Sequence, residues 1–347
     1  MNTEVLWLLA PDGLTNGAVY ALLAIALVLV FAVTRVIFLQ QGDFVALAGL
    51  TLAWLQMGRL PGTVWLLVGL AAACALADLG AGWRAGRLPA WRPFLGRYVA
   101  APAAVVLLCG TLDLAGLPLL LQILLTLLII TPMGPLIYRL AYQPVAEAST
   151  LSLLIVSVAV HFVLVGLCLF FFGPEGLRIP AFSDRWVELG AVTVPAQSLW
   201  VIGVSVVLIA ALYLFFGNTI NGKSLRAAAF NREGAKLMGI SPVGAGRLAF
   251  LLAAGIGAIS GVLIAPLTTI YYDTGFLISL KGFVGAILGG LASYPLAALG
   301  AVSVGVIEAL ASFWASAFKE VVLFTLVIPV LIWLSLKPVQ GDEGEDE

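Results

Sequence analysis

From Leu14 to Thr34 the chain carries no charged residue, and runs of this kind recur almost to its C-terminal end. A helix needs roughly 17–25 predominantly apolar residues to cross the hydrocarbon core of a bilayer. Such runs lie near 14–34, 44–58, 63–80, 98–112, 117–138, 151–172, 197–217, 248–272, 278–292, 296–314 and 321–336. They predict an all-α, polytopic integral membrane helix bundle of about eleven hydrophobic segments. The runs at 44–58 and 278–292 are short and glycine-bearing, which suits a broken or re-entrant helix. Only 10% of the 347 residues are charged, and 62% are hydrophobic. A soluble domain carries roughly 25% charged residues and could not hide this much apolar surface. The formal net charge of −1 gives no basic surface for nucleic acid.

The placement of the few charges sets an orientation. Arg84, Arg87, Arg92 and Arg97 form a basic stretch without an acid, and Lys223, Arg226, Arg232, Lys236 and Arg247 face only Glu233 between 218 and 247. Lys and Arg concentrate in cytoplasmic loops, so both stretches are expected inside. The segment 173–197 holds Glu175, Asp184 and Glu188 against Arg178 and Arg185, and is expected outside. The spans alternate correctly with these three assignments, which puts the N-terminus outside and the C-terminus inside. Glu4 and Asp12 precede the first basic residue. That is unlike a cleaved signal peptide, so Met1 onward is expected to stay in the protein. One membrane domain is expected over 1–340, followed by an acidic disordered tail at 341–347.

Few motifs suggest chemistry. Gly217 to Ser224 matches the phosphate-binding pattern G-x-x-x-x-G-K-[ST]. That loop needs a strand before it and an α/β sheet around it, whereas an apolar run precedes it here. No ATP binding is therefore expected. Cys74, Cys109 and Cys168 are far apart in apolar runs and read as small buried hydrophobes. No helical HExxH and no Ser-His-Asp grouping occurs, and His161 is the one histidine. No catalytic residue, metal site or cofactor is expected.

Several short motifs carry a family resemblance. Gly13-Leu14-Thr15, Asn16-Gly17, Tyr20-Ala21-Leu22 and Gln41-Gly42-Asp43 resemble the opening of LivH-type branched-chain amino acid ABC transporter permeases. Ala141-Tyr142-Gln143-Pro144-Val145 resembles an A-Y-R-P-V turn of that family. Asn231-Arg232-Glu233 with Leu237-Met238-Gly239-Ile240 resembles its cytoplasmic coupling segment. Lys281-Gly282-Phe283, Gly289-Gly290-Leu291 and Gly305-Val306-Ile307-Glu308 resemble its C-terminal signature. The resemblance excludes roughly 60–135, where the basic stretch and its flanking helices look like an insertion. Gln41 stands where the family has a histidine.

The resemblance implies a multi-pass subunit of the bacterial inner membrane that imports amino acids, branched-chain ones first. Its implied partners are a second, LivM-like permease subunit, two cytoplasmic ATPase subunits, an external solute-binding protein and membrane lipid. The chain itself would be no enzyme. Rival readings are an importer permease for urea or another small solute, a stand-alone secondary transporter, and a membrane enzyme.

Two sets of site residues follow. Ser224–Ile240 is read as one or two short amphipathic helices ended by Gly239. Its coupling residues are Arg226, Phe230, Arg232, Glu233, Lys236, Leu237, Met238 and Gly239. The translocation pathway is assigned to Gln40, Gln41, Gly42, Asp43, Lys281, Gly289, Gly290 and Glu308. Ionisable residues inside apolar runs are functional candidates, because a charge at a helix centre costs roughly 2.5–3.5 kcal/mol even on lenient scales. Asp43 and Lys281 lie near segment ends, where a solvated or headgroup position is the simple expectation. His161 is expected to hydrogen-bond a neighbouring helix. Gly42–Gly49 also loosely resembles Lys281–Gly290 in the opposite orientation, as inverted repeats of transporters do.

Overall fold

The structure, a computed structural model, describes residues 3–84, 86, 94–189, 192–291 and 293–336. The acidic segment 341–347 and Arg87 and Arg92 of the basic stretch lie outside the described residues. Helix α1 (Thr3–Thr34) is the axis of the bundle: every residue from Ala18 to Val30 is buried. A helix apolar on all sides is stable only when covered on all sides, and α1 is covered by α13 (Tyr294–Trp314), α11 (Pro242–Ile264), α12 (Thr274–Leu288) and α8 (Ala196–Asn218). It ends where Arg35 takes φ 62°, a conformation that stops a right-handed helix.

After an extended link, α2 (Gln41–Gln56) runs with every residue buried except Trp54 and Gln56. At 1.5 Å per residue, α2 and α12 are about 24 and 22 Å long, against a hydrocarbon core of about 30 Å. They pack reciprocally, α2 on α11 and α12 on α1, and they also meet each other. The meeting point is Gly42 against Gly275, near the N-terminal end of each helix. A Cβ on either glycine would overlap the other's carbonyl oxygen.

The pairings also fix directions. Gly13 and Gly17 of α1 face Val306 and Val302, while Gly285 and Gly289 of α12 face Ala301 and Ala297. Both α1 and α12 therefore run antiparallel to α13, and parallel to one another. Gly257 and Gly261 of α11 face Phe44 and Val45, so α2 runs parallel to α11. The end of α1 at Val33–Thr34 and the start of α11 at Pro242 line one small cavity, which makes α1 and α11 antiparallel. Thus α2 and α12 start from a common point and run in opposite directions. The glycine of α2 at the meeting point faces Gly275 of α12, which lies before the stretch Lys281–Gly290 that resembles Gly42–Gly49 in sequence.

The remaining helices surround this centre. They are α3 (Thr63–Arg84), α4 (Ala101–Thr111) with a π-helical turn Gly96–Ala100 before it, α5 (Leu119–Ile130) and α6 (Met133–Ile137) with a π-helical turn Tyr138–Tyr142 after it. Next come α7 (Thr150–Phe172), α9 (Ile220–Phe230), α10 (Arg232–Leu237) and α14 (Lys319–Leu336). Helix α7 touches the bundle with one stripe, Leu153, Ser157, His161, Leu164, Cys168 and Phe172, at helical spacing. Among the described residues, seven helices are long and apolar enough to cross a membrane; Gly96–Thr111 and α12 are shorter apolar helices. The all-α expectation needs one addition. The segment expected outside contains an antiparallel hairpin, β1 (Trp186–Leu189) with β2 (Val192–Pro195), in register Trp186↔Pro195 and Leu189↔Val192.

Candidate functional site

Beside the junction of α2 and α12 lies a cavity of about 950 Å³. Its wall includes Tyr20 of α1, His161 of α7, Thr274 and Phe276 at the start of α12, and Lys281 and Glu308 further along α12 and α13. Lys281 is 6% exposed and Glu308 6%. The Lys281 ammonium donates to Glu308 Oε1 at 2.5 Å and pairs with Glu320 Oε1 at 3.0 Å. The Tyr20 hydroxyl donates to the other Glu308 oxygen at 2.6 Å, and Lys281 Nζ sits 5.8 Å from the Tyr20 ring centre. One cation and two carboxylates thus join α1, α12, α13 and α14. Burial makes each charge costly alone and each pairing strong.

A second buried pair lies nearby. His161 Nδ1 is 2.9 Å from each carboxylate oxygen of Asp43, and the His161 ring is 4.9 Å from that of Phe276. Asp43 is 4% exposed. The simple expectation that Asp43 and Lys281 are solvated near headgroups is therefore overturned. Asp43 lies in the first turn of α2 and Lys281 at the middle of α12, two short helices that start inside the bundle, so both positions are deep in the protein. His161 does bond a neighbouring helix, as expected, but its partner is a carboxylate.

The other pathway residues are brought to the junction, not to the cavity wall. Gln40 Nε2 donates to the Tyr142 hydroxyl at 2.6 Å and to the Ser157 carbonyl at 2.7 Å. Ser157 and His161 are one turn apart on the same face of α7, so Gln40 and Asp43 fasten that face to α2. Gln41 donates to the Ala253 carbonyl of α11 at 2.9 Å, and Gly42 makes the helix crossing. Gly289 and Gly290 lie at the far end of α12, where Gly290 takes φ 71° and the Leu291 amide donates to the Ala286 carbonyl. Of the eight residues, Lys281 and Glu308 line the cavity and Asp43 reaches it through His161. Tyr20 and Glu320 were missed. An acid beside a terminal apolar run was the available signal for Glu320.

The segment assigned to coupling forms two short helices, as one of the two sequence readings held. Thr219 caps α9 by accepting from the Gly222 amide at 3.0 Å, and Asn231 caps α10 by accepting from the Gly234 amide at 2.7 Å. Leu225, Ala228 and Ala235 are buried. Phe230, Leu237 and Met238, at the ends of α9 and α10, are 95%, 89% and 82% exposed, and this stretch with its bare apolar side chains is called the knuckle. Arg226 is exposed, Lys236 bonds Glu233 at 2.8 Å, and Arg232 donates to the Ala146 carbonyl at 3.2 Å, tying the knuckle to the bundle. Gly239, at φ 81°, ends the segment. The phosphate-loop match sits at the α8–α9 turn. A helix precedes it, and the Gly222 and Lys223 amides are already held by Thr219.

Residues 94–332 match the family described as branched-chain amino acid transport system / permease component. The chain belongs to that family. Two relatives carry the name high-affinity branched-chain amino acid transport system permease protein LivH, from Salmonella typhimurium and Escherichia coli K12. Each is 28% identical over 247 residues, which is 69% of this chain and 80% of the relative. The permease protein BraD of Pseudomonas aeruginosa is 28% identical over 246 residues, with the same coverage. No solved structure matches the chain. The family match includes the knuckle, Lys281 and Glu308 of this permease, and its bounds leave out Gln40 to Asp43. As a member of a permease family the chain is a transport component of a multi-pass membrane type.

Proposed function

We propose that this permease is the membrane subunit of an ATP-driven importer that moves branched-chain amino acids into the cytoplasm of a bacterium. The observation that carries the reading is the cavity at the α2–α12 junction. It combines buried charges of both signs, Lys281 and Glu308, with apolar wall residues such as Phe162, Val165 and Phe276. A branched-chain amino acid has the same composition: an ammonium, a carboxylate and an apolar side chain. Opposed half helices with their N-terminal ends at a central site are a recurring feature of transporters.

In this reading the N-terminus and the hairpin face outside, the knuckle and C-terminus face the cytoplasm, and the chain lies in the inner membrane as one domain over 1–340. An external solute-binding protein delivers substrate above the cavity. A second, LivM-like permease covers part of the apolar surface left bare by α7 and α8. Two ATPase subunits hydrolyse ATP, and one of them receives Phe230, Leu237 and Met238 in a groove, a common mode of helix recognition. Gln40 and Asp43 hold α7 against α2 at the pathway, Gly289 lets α12 and α13 approach at its inner end, and Gly290 turns the chain there.

The test is uptake into proteoliposomes. Leucine supplied on the binding protein should enter only when the second permease, both ATPases and ATP are present. Uptake by this chain alone would overturn the subunit reading in favour of a stand-alone transporter. Uptake of urea but not leucine would overturn the substrate.

A further inference from the structure

A second concavity, of about 520 Å³, lies on another side of the bundle, between α4, α5–α6 and α11. Each of these three helical strips contributes an arginine to it. Along the first, Arg97 is followed by Ala101, Pro102 and Val105. Along the second, running backwards, Arg139 is followed by Leu136, Pro135 and Leu128. Along the third, Arg247 is followed by Leu248 and Leu251. The three guanidinium-bearing residues thus mark one end of the groove, and its walls are apolar for about 12, about 16 and about 6 Å beyond them along the three strips at 1.5 Å per residue. Two of the arginines sit in the π-helical turns, Gly96–Ala100 and Tyr138–Tyr142, a local geometry that is frequent at functional sites.

The arginines are only partly satisfied. Asp78 of α3 accepts from Arg139 Nε at 2.8 Å and from Nη2 at 2.5 Å, and its other oxygen accepts from the Tyr98 hydroxyl at 2.7 Å. This fixes Arg139 and leaves its Nη1 without a hydrogen-bond partner among the described residues. Arg247 gives one hydrogen bond, from Nη2 to Gln143 Oε1 at 3.2 Å. Three cations face a single carboxylate, so the polar end of the groove keeps a net positive charge. Arginine is suited to phosphate, which it can bind through two parallel N–H donors.

We propose that this groove is a binding site for an anionic phospholipid. The phosphate lies among Arg97, Arg139 and Arg247, and one acyl chain lies along Val105, Leu128 and Leu251. Basic pockets between membrane helices bind lipid headgroups by this combination of charge and apolar wall. The groove joins α4 and α5, through Arg97 and Leu128, to Arg139 and Arg247, all four residues lying within the family match. A lipid here holds α4 and α5 against α11, which directly follows the exposed knuckle in the chain.

The test uses the purified full chain in detergent, with native mass spectrometry to count bound molecules and a thermal melt to follow stability. Phosphatidylglycerol should bind at least tenfold more tightly than phosphatidylcholine and raise the melting temperature. The double variant Arg97→Gln, Arg247→Gln should lose that preference and keep the melting temperature seen in phosphatidylcholine. Val105→Trp, which fills the apolar end and leaves the arginines in place, should weaken phosphatidylglycerol as well. Equal binding of the two lipids, or an unchanged preference in the double variant, would overturn the site. The same stabilisation by inorganic phosphate alone would overturn the lipid as its ligand.

Discussion

Lys281 shows how much one buried charge can govern. Its ammonium bridges Glu308 and Glu320 at once, so Lys281→Met leaves two carboxylates near each other without a cation. Removing one partner of a buried pair costs about 3–5 kcal/mol. Lys281→Met should therefore melt well below the parent protein. The triple change Lys281→Met, Glu308→Gln, Glu320→Gln should recover most of that loss, because no unpaired charge remains. A thermal melt of the three proteins in detergent checks this; equal losses in the single and triple variants would show that the ammonium acts by packing alone. These charges were legible as charges in apolar runs. Their partners were not. Lys281 and Glu308 are 27 residues apart, Asp43 and His161 118, and Tyr20 and Glu308 288. No local spacing encodes contacts at such separations.

At the scale of helices, the crossing of α2 and α12 depends on the absence of two side chains. Gly42→Ala puts a methyl group into the Gly275 carbonyl, so the helices must separate and the junction must loosen. The expected result is a loss of folded protein, read as monodisperse yield on gel filtration. Gly203→Ala in α8 meets nothing within 4 Å. It should be neutral or gain up to about 1 kcal/mol from helix propensity, and it serves as the control. The knuckle gives the opposite pattern. Leu237→Asp with Met238→Asp alters residues that touch little of this chain, so the melt should stay unchanged while ATP-driven uptake or ATPase retention falls. Normal assembly and uptake in that variant would remove the coupling role. The division of this segment into two helices is set by the caps at Thr219 and Asn231, while its helical character and its end at Gly239 were readable from amphipathic spacing. The register of the repeat was not, because Gly275, Gly282 and Gly289 follow at equal seven-residue intervals and each offers Gly42 a plausible match. Packing selects the first.

For the whole molecule, the orientation is the reading to check. Cys74, Cys109 and Cys168 are all buried, so single surface cysteines can be introduced over a quiet background. In sealed cells an impermeant thiol reagent should label Asp184→Cys readily. Asn221→Cys should react only after the membrane is opened. Labelling in the reverse order would invert the molecule and move the knuckle outside. The membrane class was plain from the apolar runs, since no soluble core could absorb them. What the runs did not reveal is which segments form the centre. The least exposed helices, α1 and α2, read much like the peripheral α7 and α8 in sequence, because lipid and protein interior accept the same side chains.

The position of α2 has a consequence for how the chain is made. Most of its buried surface is packed on α11 and α12, which emerge from the ribosome roughly 200–230 residues later. At about 5–20 residues per second, that is a wait of about 10–46 seconds. During it Gln41, buried in the finished bundle, lacks the Ala253 carbonyl to which it donates. A nascent chain halted before residue 242 is thus left with a half-length helix whose main packing partners are missing, a form that quality-control proteases can distinguish from the completed protein.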